Sequence, residues 1–366
     1  MKILSRFVSI GAALLALGCA ADEAQAPTTA GSSSNAKGDE AERLVVMAQN
    51  FYVGADVDAI LAALLGGGDL ATVLTEQVQV LQNTDFHRRA GALADILTKD
   101  RPHAVGLMEV STIVINIPAL GLNYQIDFLP VLMDTLTARG LPYAVAGQVT
   151  NFTVTPSLPV PGTLSLTDKD VMLVDISRAT VAGPVTAKKF VYNLGNIAPG
   201  VTLKRGFVMA PLLVDEEVYL VATTHLEDDL GPNDLSTLRY AQMSEIVAYA
   251  DGYGVPRAVI MGDLNDVEGS LMYNVATGGG FADLWTTLRP GTTGYTCCQF
   301  SDLSNPRQDM NQRIDFIFAR GFEGPPGRAM GMIDRVSYNP SDKFPGPSYP
   351  IWLSDHAGLL GTLLMP

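Results

Sequence analysis

The segment Ala258-Val259-Ile260-Met261-Gly262-Asp263-Leu264-Asn265 joins four apolar residues to a glycine and two polar residues. A short apolar run that ends in Gly and Asp is typical of a buried β-strand followed by a turn. Asp263 and Asn265 are two residues apart, so continued strand geometry would point their side chains to the same side. Gly262 permits a sharp exit that brings the backbone close to a ligand. The segment therefore predicts a buried strand that ends at a polar site.

The same arrangement recurs along the chain, with polar residues at or near the ends of apolar, strand-like runs. These are Asn50 after Leu44–Ala48, Glu109 after Ala104–Met108, His225 after Val218–Thr223, Asp315 within Ile314–Phe318, and Asp355-His356 before Gly358–Leu364. A single carboxylate after a strand is more often a turn or helix cap. Because sites are commonly built where loops leave strands, the ordered set predicts one shared site.

Helical spacing of apolar residues alternates with these strands. It predicts helices over residues 56–65, 70–81, 86–97 and 235–250. Many strands with few helices favour layered sheets flanked by helices over a simple parallel βαβ array. No internal repeat or second low-complexity stretch interrupts residues 43–366, so one domain over those residues is expected.

Composition narrows the class of protein. The 366 residues are 47% hydrophobic and 17% charged, which excludes a disordered or collagen-like chain. Asp and Glu total 38 against 24 Lys and Arg, a formal net charge of −14. Phosphate neutralisation needs Lys and Arg, so this balance disfavours a nucleic-acid partner without excluding one.

The N-terminus predicts export. Lys2 and Arg6 precede an apolar run, residues 7–17, that is too short to span a bilayer. Ala16-Leu17-Gly18-Cys19 resembles the bacterial lipoprotein cleavage box, in which the Cys is acylated, although Leu15 lies one place early. We expect a lipoprotein-type signal peptide at residues 1–18, an ordinary signal peptide being the alternative.

Residues 19–42 contain little apolar bulk and are expected to form a flexible tether. The expected location is the cell envelope, with a lipid anchor in the membrane. Ala20 after Cys19, in place of the Asp that signals inner-membrane retention, indicates the outer membrane or cell surface. Nothing in the sequence indicates a protein partner.

The residue types at the strand ends indicate a class of chemistry. Glu109 and Asp355 offer the hard oxygen ligands that Mg²⁺ prefers when it shares its shell with phosphate and water. His225 and His356 can hold or transfer protons. Asp263 and Asn265 could grip one phosphate and its attacking water.

Six motifs together resemble the endonuclease/exonuclease/phosphatase (deoxyribonuclease I-like) superfamily, over about residues 44–364. They are Val46-Met47-Ala48-Gln49-Asn50, Gly106-Leu107-Met108-Glu109-Val110, Thr223-Thr224-His225-Leu226, Gly262-Asp263-Leu264-Asn265, Arg313-Ile314-Asp315-Phe316 and Ser354-Asp355-His356. The superfamily contains secreted deoxyribonucleases, abasic-site endonucleases, bacterial neutral sphingomyelinases and inositol-phosphate phosphatases. The resemblance implies an α/β (α+β) fold, a four-layer sandwich of two packed mixed β-sheets flanked by helices.

The resemblance also implies a Mg²⁺-dependent phosphoric ester hydrolase, with Mn²⁺ or Ca²⁺ as alternative ions. Glu109 would bind the metal, helped by Asn50 and Asp355. Asp263 with Asn265 would orient the attacking water and the phosphate.

Four more residues complete the implied site. His356 would contact the scissile phosphate or act as base, and Asp315 would fix its tautomer. His225 would be a phosphate contact or general acid. Arg205, where many members carry a basic residue, would face the substrate phosphate, unless it is a solvated residue at a strand start.

Two local features remain open. Asp168 and Asp170 stand just before a strand, where turn capping is favoured over orienting His225. Cys297 and Cys298 are adjacent, and either a vicinal disulfide or two packed thiols fits an exported protein.

Substrate preference depends on residues 110–162, where Arg139 is the only basic residue and Ile, Leu, Val and Pro are dense. In the family this segment helps to wall the substrate groove. The apolar wall favours a lipid or small phosphoester, as in a sphingomyelinase, over DNA; the alternative is that these residues are a core helix and hairpin. A secreted endonuclease resembling deoxyribonuclease and a non-catalytic binding lipoprotein are the other functions considered.

Overall fold

The computed structural model describes residues 43–322 and 331–364. The predicted signal peptide (residues 1–18) and tether (residues 19–42) lie outside the described residues. Within those two ranges, no helix is both long and apolar enough to cross a membrane.

Seven α-helices form within the described residues, several with acidic side chains at their starts. They are α1 (Val57–Leu64), α2 (Leu70–Thr84), α3 (Phe86–Asp100), α4 (Phe128–Ala138), α5 (Ser236–Tyr253), α6 (Leu271–Gly278) and α7 (Leu284–Leu288), with 3-10 helices at Pro118–Leu120 and Pro340–Asp342. The Asp56 and Asp69 side chains accept backbone N–H groups at the starts of α1 and α2. The four predicted helices are therefore present, with ends shifted by a few residues.

Nineteen strands carry the rest of the described fold. In chain order they are β1 (Arg43–Asn50), β2 (Ala104–Met108), β3 (Thr112–Ile117), β4 (Leu122–Asp127), β5 (Tyr143–Val154), β6 (Thr163–Asp175), β7 (Thr180–Val181), β8 (Thr186–Lys189), β9 (Gly195–Ala198), β10 (Val201–Leu203), β11 (Gly206–Val214), β12 (Glu217–His225), β13 (Ala258–Asp263), β14 (Ala282–Asp283), β15 (Asp315–Arg320), β16 (Gly331–Val336), β17 (Phe344–Pro345), β18 (Pro350–Ile351) and β19 (Gly358–Leu364).

Two large sheets contain most of these strands. The first has the order β16-β19-β1-β2-β6-β5-β10-β9, with the β3-β4 hairpin added beside β6. The second has the order β14-β15-β13-β12-β11-β7, with β8 also paired to β11. Each sheet is mixed, since β1-β2 and β12-β13 are parallel pairs within otherwise antiparallel neighbours.

The helices cover the outer faces of the sheets. Leu93 of α3 and Leu132 of α4 pack in one apolar cluster with Val105 of β2, outside the first sheet. Ile246 of α5 packs with Ile260 of β13 in a second cluster, outside the second sheet. The chain thus has a helical layer on each side.

The inner faces of the two sheets pack against each other. Val46 and Ala104 of the first sheet share a buried cluster with Val259 and Ile317 of the second. At Gly106 the sheets approach so closely that a Cβ would lie 2.2 Å from the Thr223 hydroxyl oxygen. This arrangement confirms the predicted four-layer sandwich of two mixed sheets flanked by helices.

Strand register brings the polar strand ends to one edge of the sandwich. In the first sheet Asn50 is level with Met108, so Asn50 and Glu109 leave their strands together. In the second sheet Asp263 is level with both His225 and Asp315. The site is therefore assembled at matching ends of two stacked sheets.

Candidate active site

A cleft of about 680 Å³ opens at this edge of the sandwich. Seven of the nine residues predicted from the sequence line it: Glu109, Arg205, His225, Asp263, Asn265, Asp355 and His356. The other two, Asn50 and Asp315, are buried directly behind this lining. All nine predicted residues thus come together, although their sequence positions span more than three hundred residues.

Glu109 and Asp355 form the carboxylate pair of the cleft. Glu109 follows β2 in a left-handed conformation, φ 59°, which turns its side chain back toward β1. Its two carboxylate oxygens accept hydrogen bonds from Asn50 Nδ2 at 2.9 Å and the Val53 backbone N–H at 2.8 Å. Burial and then the Asp355 carboxylate raise the pKa of Glu109 to about 8. Two interacting buried carboxylates repel each other unless a cation neutralises them.

These residues fit a divalent cation. Carboxylate oxygens are the ligands that Mg²⁺ selects, and such an ion would neutralise the negative charges of Glu109 and Asp355 that repel each other.

The side chain of Asn50 is not oriented as a direct metal ligand. Its Nδ2 donates to both Glu109 and Asp263, while its Oδ1 accepts from the Tyr52 N–H at 2.8 Å. In this geometry Asn50 orients the two carboxylates.

Asp263 lies at the centre of the second group of polar residues. Its Oδ2 accepts from Asn50 Nδ2 at 3.0 Å and lies 3.5 Å from His225 Nε2, while its Oδ1 accepts from the Asn265 N–H at 3.0 Å. Burial, followed by the nearby Asp315, raises the pKa of Asp263 to about 7. A carboxyl group with this pKa can both accept and release a proton near neutral pH.

The backbone conformation of Gly262 allows β13 to lie close to β12 at the position just before Asp263. Gly262 has φ 147°, and a Cβ at that position would lie 1.9 Å from the Thr224 carbonyl oxygen of β12. Only glycine lets β13 approach β12 this closely. Gly262 was predicted to permit a close approach of the backbone to a ligand, and the structure shows a close approach to the neighbouring strand β12.

His356 and Asp315 form a buried hydrogen-bonded pair. His356 Nδ1 lies 2.8 Å from Asp315 Oδ2, and His356 Nε2 lies 3.7 Å from Asp263 Oδ2. Burial alone would lower the pKa of His356, but Asp315, Asp355 and Asp263 outweigh it and hold that pKa well above its usual value. Asp315 thereby fixes which ring nitrogen faces the cleft.

The pKa of His225 is shifted in the opposite direction to that of His356. Burial and then the Arg205 guanidinium hold the pKa of His225 well below its usual value, so the ring is neutral at pH 7. Its Nε2 lies 3.0 Å from Asn265 Nδ2. Of the two roles expected for His225, a neutral ring fits a hydrogen-bond contact to phosphate better than a stored acid proton.

Arg205 reaches the cleft in an ion pair. Its Nε donates to Glu227 Oε1 at 3.0 Å, and both side chains are buried. Glu227 was not among the predicted site residues, although it lies two residues after His225 and the same strand-end pattern points to it. The Glu227 carboxylate offsets the positive charge that Arg205 was expected to offer a phosphate.

The predicted turn-capping role of Asp168 and Asp170 is wrong. Both lie inside β6, which begins at Thr163 and is longer than predicted, and both are fully buried. Asp170 Oδ2 accepts the His225 backbone N–H at 2.9 Å, so Asp170 holds the end of β12.

Cys297 and Cys298 form a vicinal disulfide that lines the cleft. The loop around it is tied to the site, since Gln299 N–H donates to the Asp355 carbonyl and the Thr296 hydroxyl accepts the Asp315 N–H. The structure therefore places the disulfide, the first of the two alternatives, beside catalytic candidates.

The apolar segment from Val110 to Gly162 is mainly core. It forms the β3-β4 hairpin, α4 and β5, and its large apolar side chains such as Ile113, Ile115 and Leu132 are buried in the cluster outside the first sheet. The expectation that this segment presents an apolar substrate wall is therefore wrong for these side chains. Only Phe152 from this segment lines the cleft.

Comparisons with known proteins agree with this architecture. Residues 78–356 match the model of the Endonuclease/Exonuclease/phosphatase family, which is well over half of the chain. No curated protein sequence matches the chain significantly.

Solved structures of low sequence identity share the fold. An endonuclease/exonuclease/phosphatase family protein from Bacteroides thetaiotaomicron is 14% identical, with a TM-score of 0.54 over 89% of this chain and 99% of that one. D. rerio TDP2, complexed with a single-strand DNA product, is 16% identical, with a TM-score of 0.50 over 87% and 98% of the two chains. A mannosyl-6-phosphatase from B. thetaiotaomicron is 14% identical, with a TM-score of 0.50 over 87% and 98%. With the family match, the two sheets and the residues gathered at their edge, the chain belongs to the endonuclease/exonuclease/phosphatase family.

Proposed function

We propose that this protein is a Mg²⁺-dependent hydrolase of phosphoester bonds, acting on a lipid or small phosphoester in preference to DNA. The observation that carries the proposal is the meeting of Glu109, Asp355, Asp263 and two histidines in one cleft of about 680 Å³. Members of this family hydrolyse phosphoester bonds, which supports the same class of reaction. A carboxylate pair, a carboxyl with a pKa near 7 and two histidines in opposite protonation states are the parts that such a hydrolysis needs.

Different residues of the cleft would act on the attacking water and on the phosphate. Asp263, with Asn265 beside it, would hold the attacking water and take its proton, because a pKa of about 7 suits a general base at neutral pH. His356, kept cationic by Asp315, would contact the phosphate oxygens and stabilise their growing charge. His225 would act on the phosphate through Asn265, because its Nε2 accepts a hydrogen bond from Asn265 Nδ2 at 3.0 Å and so holds that amide in place.

Glu109 and Asp355 would bind the divalent cation, with Asn50 orienting Glu109. When bound, the ion supplies Lewis-acid stabilisation of the negative charge on the phosphate. Mn²⁺ or Ca²⁺ would be accepted by the same oxygens, with different fit.

The charge of the cleft supports the preference against DNA. Nine carboxylates line it, while the only guanidinium groups among its lining residues are those of Arg205 and Arg239. Arg205 is paired with Glu227, and Arg239 contacts Asp229 at 2.8 Å and Asp266 at 3.1 Å. A polyanion binds by neutralising many phosphates with Lys and Arg, and this cleft supplies no unpaired ones from its described lining.

Apolar surface at the same cleft supports a lipid. Leu230 and Val267 line the cleft and remain 37% and 49% exposed. A small apolar cavity of about 30 Å³ adjoins it and shares Val53, Val57 and Leu61 with its wall. Apolar residues next to a phosphate site suit a substrate that carries both a phosphoester and a hydrocarbon part.

The test is hydrolysis by the purified protein of sphingomyelin, phosphoinositides, bis-p-nitrophenyl phosphate and plasmid DNA, each with Mg²⁺ and with EDTA. EDTA-sensitive turnover of a lipid or small phosphoester is expected. Faster turnover of DNA, with activity that falls steeply as salt is added, would favour the endonuclease instead. No turnover of any substrate by protein shown to bind Mg²⁺ would favour the binding-lipoprotein alternative.

Two variants distinguish activity of the proposed site from activity of a contaminating enzyme. Glu109→Ala and His356→Ala are each expected to abolish the EDTA-sensitive turnover, whereas Asp95→Ala on the exposed face of α3 should not change it. Activity that survives both site substitutions would place the reaction elsewhere.

We also propose that the protein is an exported lipoprotein of the cell envelope, anchored in the membrane through an acylated Cys19. The basic, apolar and small-residue order of residues 2–19 supports this location. Wild-type protein expressed in a bacterium should incorporate labelled palmitate and sediment with the outer membrane. Cys19→Ser should lose the label; labelling unchanged by Cys19→Ser would refute the anchor.

A further inference from the structure

A buried arginine lies outside the nine residues predicted for the site. Arg89 of α3 is 1% exposed, and its guanidinium carbon lies 5.1 Å and 5.6 Å from the ring centroids of Phe86 and Phe128. Burial lowers the pKa of Arg89 to about 10, so the guanidinium remains a cation at pH 7. A cation enclosed in this way requires strong hydrogen-bond acceptors around it.

Backbone carbonyl groups supply those acceptors. Arg89 Nη1 donates to the carbonyl oxygen of Phe51 and, at 3.0 Å, to that of Tyr52. Arg89 Nε donates to the Thr84 carbonyl oxygen at 3.0 Å. Hydrogen bonds from a charged donor are stronger than those between neutral groups. Because Phe51 and Tyr52 directly follow β1, Arg89 holds the segment between β1 and α1 against α3.

The same two peptide groups reach the metal site with their other ends. The Tyr52 N–H donates to Asn50 Oδ1 at 2.8 Å, and the Val53 N–H donates to Glu109 Oε2 at 2.8 Å. A peptide group is planar and trans, so its N–H points away from its carbonyl. The carbonyl ends of these two groups are the ones that Arg89 binds. The guanidinium therefore directs both N–H groups toward the carboxylate and the amide of the site.

The backbone of this segment adopts a conformation that needs support. Tyr52 has φ 59°, in the left-handed region that bulky residues rarely adopt. Such a conformation persists only where the surrounding structure fixes it. At Gly54, with φ 91°, a Cβ would lie 2.9 Å from Arg89 Nη2. The segment thus fits closely around the guanidinium, which is one of the groups that fix it.

We propose that Arg89 is a positioning residue of the metal site, which fixes the two peptide groups that orient Asn50 and Glu109. This inference rests on the divalent-cation site proposed above. Without the guanidinium, two carbonyls lose their donor and the segment is free to leave its left-handed conformation. The Glu109 carboxylate then loses the Val53 N–H that holds it. Replacing residues that support metal ligands in this way lowers metal affinity by about 10- to 100-fold.

The affinity of the full-length protein for Mn²⁺ tests the proposal. Free Mn²⁺ is measured by electron paramagnetic resonance, and the site is defined as the Mn²⁺ that wild type binds and Glu109→Gln does not. Arg89→Lys keeps the charge but lacks the planar fork of donors. We expect its Kd to rise by about 10- to 100-fold, and that of Arg89→Met by at least as much.

Arg101→Lys is the matched control. Arg101 follows α3 and pairs with the buried Asp175 at 2.6 Å, and neither residue lines the cleft. This variant also loses an arginine that bonds to a buried group, so its stability is expected to fall while its Kd for Mn²⁺ stays unchanged. A fall in affinity equal to that of Arg89→Lys would assign the effect to general destabilisation and overturn the proposal.

A measurement on the wild type does not depend on a variant folding. Coupling between sites is reciprocal, so an ion that binds better when the Arg89 bonds are formed must also stabilise those bonds. Nuclear magnetic resonance of protein with isotope-labelled arginine can identify this guanidinium by its contacts with the rings of Phe86 and Phe128. At saturating Mg²⁺ its protons should exchange with solvent at least about tenfold more slowly.

The results distinguish this inference from the proposed function. A folded Arg89→Lys or Arg89→Met variant that binds Mn²⁺ as tightly as wild type would overturn the role of Arg89 alone, as would guanidinium exchange that Mg²⁺ leaves unchanged. If wild type binds no more Mn²⁺ than Glu109→Gln does, the metal site itself is refuted, and this inference with it.

Discussion

Replacing Asp315 with Asn is expected to slow the proposed hydrolysis without unfolding the protein. Asp315 Oδ2 lies 2.8 Å from His356 Nδ1, and both residues are buried, with exposed fractions of 1% and 5%. Asn has nearly the same shape as Asp but lacks its charge, and its amide group can donate to Nδ1 and so favour the wrong tautomer of His356. The substitution therefore removes the charge that keeps His356 cationic and oriented.

The size of the effect follows from the hydrogen bond that is lost. A hydrogen bond to a charged group contributes about 1.5–3 kcal/mol. If this contribution is made fully in the transition state, it corresponds to a fall of about 10- to 150-fold in kcat/KM, at about 1.36 kcal/mol for each factor of ten.

The assay compares kcat/KM for bis-p-nitrophenyl phosphate at saturating Mg²⁺ in wild type, Asp315→Asn and the surface control Asp95→Asn. Thermal unfolding of each protein verifies that the variants are folded. Asp95→Asn should match wild type, since its side chain is 72% exposed and does not line the cleft. A folded Asp315→Asn variant within twofold of wild type would refute the role assigned to the Asp315–His356 pair.

Three further predictions concern the metal and stability. Glu109→Gln should abolish the rise in melting temperature that Mg²⁺ produces in wild type, because a neutral amide cannot replace the carboxylate ligand; a rise equal to that of wild type would count against this metal site. The Nδ1 atom of the buried His103 accepts the Val45 N–H at 2.9 Å, and burial lowers the pKa of His103 from 6.5 to about 4. The unfolded state therefore binds more protons between these pH values, so this contribution is present above pH 6.5 and is lost as the pH falls to 4, up to about 3 kcal/mol. Urea unfolding should show His103→Gln losing less stability than wild type over that range, whereas a slope equal to that of wild type would contradict the assignment. Gly262→Ala should cost at least ~3 kcal/mol because its Cβ would lie 1.9 Å from the Thr224 carbonyl oxygen. Gly252→Ala in α5, where a Cβ has open space, should be neutral or stabilising in the same unfolding assay.

Much of the fold was readable from local patterns. The apolar run Ala258–Met261 and the helical spacing over residues 86–97 report which face of an element is buried, because side-chain direction repeats every two or 3.6 residues. The polar residues at the ends of these runs gave the candidate site residues, since strand ends reach the edge of a sheet. Local patterns could not show the bulge at Asn151 or the length of β6, which depend on pairing between strands.

The partners of the site residues required the folded chain. Glu227 pairs with Arg205 from 22 positions away, and Asp170 reaches the His225 backbone across 55 positions. Residues 110–162 illustrate the same limit, because an apolar hairpin and helix look alike in sequence whether they wall a groove or fill a core. Only packing against α3 and the first sheet assigns them to the core.

The sequence by itself determined four of the seven described helices, the strands that end at the site, the acidic balance and the nine polar residues gathered at the cleft, because each depends on residue type and near-neighbour spacing. Tertiary structure alone decided which of these charges are paired, which carboxylates share a buried space behind His225, and that Cys297 and Cys298 stand at the cleft. The physical reason is that burial and electrostatic pairing depend on distances between residues far apart in the chain, and those distances exist only once the two sheets have packed.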